Sequence, residues 1–167
     1  PSGQSGPLLV TANQLQEYWR ESSQPWERQA YLRSRMLEHQ STEKLPLDKS
    51  LLILPALSDE DLAELKRIRE KLLKPDSVDI KYAPGGLLDT EFVVQTALLK
   101  NQIPPEGTST QEMAQTLAEE LPDWKNSQDR LMAIYLELRR FEQMIYLSAN
   151  HKSQNADENS PLFKKAS

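Results

Sequence analysis

Apolar residues recur at helical spacing along most of the chain. Leu15, Tyr18 and Trp19 share one face of a segment that Thr11 can cap and that runs to about Ser22. Pro25 sits at a favoured first-turn position for a helix over Trp26–Glu38. On that helix Trp26, Ala30, Arg33 and Leu37 fall on one side, and Arg28, Tyr31 and Arg35 on another. Residues 39–57 are mixed; the runs at Leu45–Leu47 and Leu51–Pro55 read as a short helix or a strand-like connector. Ser58 with Asp61 resembles a capping box opening a helix to about Lys74, with acids in its first turn and bases in its last. Its apolar stripe is Leu62, Leu65, Ile68, Leu72 and Leu73. After a turn at Ile103–Gly107, Thr108 or Ser109 caps a helix to about Glu120 with Met113, Leu117 and Leu121 inward. Leu121-Pro122 breaks it, and a long helix comes next over about Ser127–Asn150. Leu131, Ile134, Leu138, Phe141, Ile145 and Leu147 are expected in its core face.

The stretch Lys81–Lys100 differs from the rest. Pro84-Gly85-Gly86 is a strong breaker, and the segment after it is apolar on nearly every side of a helical wheel. Leu87, Val94 and Leu98 share one face, Leu88, Phe92 and Leu99 another, with Val93 and Ala97 between. A helix apolar all round is buried, so Phe92 and Val93 should both be covered. Yet Asp89, Glu91 and Gln95 lie within it, and a buried carboxylate is expensive unless paired or hydrogen-bonded. The arginines of residues 26–38 are either solvated or turn inward to meet Asp89 and Glu91. The pattern as a whole predicts an all-α bundle of about six helices over residues 11–150. Residues 1–10 read as an extended connector and 151–167 as a polar tail, disordered or ending in a short helix near Pro161–Lys165.

Composition narrows the function. The 167 residues suffice for one domain with a sizeable core, and 38% hydrophobic with 27% charged residues suits a soluble helical domain. Mean hydropathy is −0.65, and no apolar run is long enough to span a bilayer. There is no cysteine, which removes disulfides and thiolate metal sites. His39 and His151 are isolated and lack ligand spacing, so neither zinc nor a histidine-based nucleophile set is expected. A net charge of −5 and a pI near 5.2 argue against a duplex nucleic-acid binder.

Two places invite a chemical reading. Asp59 and Asp61 have the spacing of a metal-binding Asp-x-Asp pair. Ala63-Glu64-Leu65-Lys66-Arg67 after them is helical, however, and on a helix two residues two apart diverge by about 200°. Capping is the reading that fits. Gly85-Gly86 at a helix start can present backbone N–H groups to a phosphate. Against this, Asp89 in the first turn repels an anion and is placed to cap the same groups.

Three ordered stretches carry a family resemblance. Pro84-Gly85-Gly86-Leu87-x-Asp89-x-Glu91-Phe92-x-x-Gln95 resembles the signature of bacterial glutamine-synthetase adenylyltransferases, where it opens the helical domain after a nucleotidyltransferase domain. Pro1-Ser2-Gly3-x-x-Gly6-Pro7-Leu8 resembles the tail that closes that catalytic domain. Trp26-Glu27-Arg28-Gln29-Ala30-x-x-Arg33-x-Arg35 resembles the family's Trp-Glu-x-Gln-Ala helix. The resemblance implies a fragment of a larger multidomain enzyme that transfers AMP from ATP to a tyrosine of glutamine synthetase, or removes it, in the cytoplasm. It implies ATP and Mg²⁺ in a catalytic domain this chain lacks, and no catalytic, cofactor or metal residue here. It implies glutamine synthetase, a PII-type regulator and the enzyme's own nucleotidyltransferase domain as partners, with no nucleic acid and no membrane. Lys81 or the loop amides would face the nucleotide cleft, and the fragment would brace the active site. The alternatives are a non-catalytic helical interaction module, or the helical part of a related uridylyltransferase, whose Gly-Gly-Leu-x-Asp stretch is similar.

Overall fold

In a computed structural model, the structure describes residues 11–35, 49–73 and 79–154. The expectations for residues 1–10, for Leu37 and Glu38, for Leu45–Leu47, for Lys74 and for the tail past Gln154 lie outside them. Among the described residues there are six α-helices: α1 (Ala12–Glu21), α2 (Pro25–Leu32), α3 (Asp59–Leu72), α4 (Leu87–Lys100), α5 (Thr110–Glu120) and α6 (Pro122–Gln154). A 3₁₀ turn, Lys49–Leu51, precedes α3. The all-α expectation holds.

Local chemistry sets the ends. The Thr11, Ser58 and Ser109 hydroxyls accept the N–H groups of Gln14, Asp61 and Glu112 in turn. Each third residue answers by accepting its cap's own N–H: Gln14 through its amide oxygen, Asp61 and Glu112 through their carboxylates. Asp61 is thereby occupied as a cap. The Glu112 carboxyl lies below its ordinary pKa, chiefly because the Ser109 N–H, the Ser109 hydroxyl and the Thr108 N–H all donate to it. Ser109→Ala should cost about 1 kcal/mol in chemical denaturation.

α4 is the axis. It packs against α2, α3, α5 and α6, and α5 also lies along α6. Leu87, Val94, Leu98 and Leu99 are fully buried on it, meeting Leu32, Leu52, Met113 and Leu117 from the surrounding elements. α1 joins through Trp19, whose ring meets Tyr31 edge-on at 5.2 Å between centroids.

Four expectations need correction. α4 is not covered all round: Val93 is 50% exposed, because four packed neighbours still leave one line of the cylinder open; Phe92 is half-buried. α2 stops at Leu32 rather than Glu38, where the Ser34 N–H and hydroxyl both donate to the Tyr31 carbonyl and divert it from the helical ladder. α6 begins at Pro122 rather than near Ser127, since proline at the first helical position gives up an N–H that would have no partner anyway. The outer half of α6 is not core. Phe141, Met144, Ile145, Tyr146 and Leu147 are 54–66% exposed, and Ile134 is also exposed. Ile134 lies off the face that Met132 and Tyr135 bury, and for the residues from Phe141 on the reason is length. The 33 residues of α6 span about 50 Å, while α4 and α5 reach only about 21 and 16 Å.

Candidate functional site

Two knots of buried charge form where α4 meets its neighbours, and both are built on residues of the Pro-Gly-Gly stretch. The first is at its mouth. Asp79 to Gly86 wind through successive turns in which Ile80, Lys81 and Ala83 turn their carbonyls toward the helix start. These accept the N–H groups of Leu87 (3.1 Å), Leu88 (3.1 Å) and Gly86 (2.9 Å). The Gly85 N–H donates to Asp89 Oδ2 at 2.6 Å. The glycines are required for different reasons. Gly85 has φ +75°, the left-handed region that L side chains avoid. Gly86 has no space: a Cβ would overlap the Ile80 carbonyl oxygen and come within 2.8 Å of that of Ala83.

Asp89 therefore caps, and its other oxygen, Oδ1, accepts from Arg69 Nε of α3. Arg69 is buried and ties α3 to the loop. The amides that would have cradled a phosphate all have protein acceptors, and a carboxylate sits among them. This loop does not fit a nucleotide phosphate. Lys81 is exposed, with its ammonium 5.3 Å from the centroid of the Tyr82 ring.

The second knot centres on Glu91, only 6% exposed. Its Oε2 accepts from Arg33 Nη1 at 2.9 Å, and its Oε1 from Arg139 Nη2 at 2.8 Å and from the Tyr135 hydroxyl at 3.1 Å. The Tyr135 oxygen also lies 3.2 Å from Thr110 Oγ1 and accepts from Arg139 Nε at 3.0 Å. One carboxylate thus gathers groups from α4, α5, α6 and the end of α2. Burial opposes the Arg139 charge, but the bonds to Glu142 and Tyr135 and the Glu91 charge outweigh it, so its pKa is raised.

The α2 residues divide. Arg33 turns inward to Glu91, as one of the two readings proposed. Arg28 is buried but goes elsewhere, donating to the carbonyls of Leu52 (2.7 Å) and Pro55 (2.5 Å) and so pinning the segment before α3; burial lowers its pKa, with Asp61 opposing. Gln29 reaches α4 at the Phe92 carbonyl and Thr96 hydroxyl (3.4 and 3.3 Å). Glu27 accepts the Gln24 N–H and the Tyr18 hydroxyl, and that phenol is pushed up to about 12, first by the Glu27 hydrogen bond. Trp26 and Arg35 are exposed, and Gln95 is buried on α4.

Arg69, Tyr135, Arg139 and Thr110 were missed. A signal existed for the two arginines. Arg69 lies four residues after the buried Leu65, and Arg139 four after Tyr135, so each is a cation placed on a stripe that faces inward. No group of three or more His, Asp or Glu among the described residues is arranged to hold a metal ion, and no described helix is long and apolar enough to cross a membrane.

Of the residues in the second knot, Glu91 and Arg33 belong to two of the three stretches that carry the resemblance, whereas Thr110, Tyr135 and Arg139 lie outside all three. Comparison with known proteins agrees with the resemblance. Residues 1–49 match the family model of glutamate-ammonia ligase adenylyltransferase. A bifunctional glutamine synthetase adenylyltransferase/adenylyl-removing enzyme from Mesorhizobium japonicum is 28% identical over 156 residues, covering 86% of this chain and 16% of that protein. This chain is similar to those adenylyltransferases over part of their length. Proteins of the same name from Neisseria meningitidis serogroup B and Shewanella woodyi are 32% and 33% identical, over 59% and 60% of the chain and 12% of each of theirs. The chain therefore spans about an eighth to a sixth of the adenylyltransferases it matches. No solved structure matches it significantly.

Proposed function

We propose that this chain is a helical domain of a glutamine synthetase adenylyltransferase/adenylyl-removing enzyme. The whole enzyme transfers AMP from ATP to a tyrosine hydroxyl of glutamine synthetase, with release of pyrophosphate, or removes the AMP again. ATP and Mg²⁺ are handled in the nucleotidyltransferase domain, a division supported by the loop at Gly85-Gly86, whose amides have protein acceptors. The helical domain braces the catalytic domain and offers surface to glutamine synthetase and to a PII-type regulator, in the cytoplasm. One observation carries the reading: the Trp-Glu-Arg-Gln-Ala helix and the Pro-Gly-Gly helix, far apart in sequence, are joined by Gln29 to α4 and by Arg33 to Glu91. Sequence features shared with adenylyltransferases thus form one physical unit.

The test is label transfer. A polypeptide carrying this sequence together with a nucleotidyltransferase domain is incubated with Mg²⁺, glutamine synthetase and ATP labelled in the adenosine or α-phosphate. Label is expected on a glutamine synthetase tyrosine, and the 167-residue chain alone should transfer none. Label that appears from UTP instead, on a PII-type protein, would replace this reading with the uridylyltransferase one.

A further inference from the structure

We draw no further inference here: the strongest candidate, the run of exposed apolar side chains on the outer half of α6 from Phe141 to Leu147, is an unpartnered helix face, and nothing in the structure shows what covers it.

Discussion

Glu91→Ala is expected to destabilise the domain by about 3 kcal/mol, read as a lower urea midpoint by circular dichroism. The carboxylate is buried, and it pairs with two guanidinium groups while accepting a tyrosine hydroxyl. The loss should fall at the low end for a broken buried pair, because the orphaned cations are not sealed in. The Arg33 and Arg139 side chains are 42% and 33% exposed and can rehydrate. Glu91→Gln keeps the shape but not the charge and should lose less. Arg33→Ala should cost least, since Arg139 and Tyr135 still hold the carboxylate. An unchanged midpoint for Glu91→Ala would mean that the acid is hydrated and that α2 and α6 are not tied through it.

The second large effect is expected at Gly86. An alanine there meets backbone carbonyls, which cannot swing away as a side chain tip would. Relief requires moving Ile80 or Ala83, and with them the bonds that those carbonyls accept from Leu87 and Gly86 itself. Gly86→Ala should cost about 2–3 kcal/mol. Gly85→Ala has open space around the new methyl and meets only the left-handed backbone, so about 1 kcal/mol is expected. Equal losses at the two positions in the same denaturation assay would show that the loop rearranges and that the carbonyl packing does not constrain it.

Much of this architecture was legible because it is local. A capping hydroxyl and the residue three positions on are near neighbours whatever the rest of the chain does, so the starts of α1, α3 and α5 could be read directly. So could the demand for cations around Glu91, since a carboxylate in an apolar helix needs counter-charge. Which cations answer was not legible. Arg33 was a candidate beside Arg28 and Arg35, and only the crossing of α2 over α4 selects it. Arg69 and Arg139 are separated from their acids by 20 and 48 positions, distances at which helical periodicity carries no information. Periodicity also misled where it was strongest. The regular spacing along α6 says that its residues line one side of a helix. It says nothing about whether a neighbour is present at that height, and past Arg139 no packed helix among the described residues reaches that far.

That overhang has a mechanical consequence. A lone helical stretch of about 15 residues in water is marginal on its own propensity, because tertiary packing normally supplies most of a helix's stability. The turns of α6 near Tyr135 are bolted to the body through Glu91, whereas past Glu142, which bonds Arg139, the described apolar side chains of α6 stand exposed. Backbone amides there should swap with deuterated solvent well ahead of those near Met132, making one continuous rod behave as a firm root and a fraying tip.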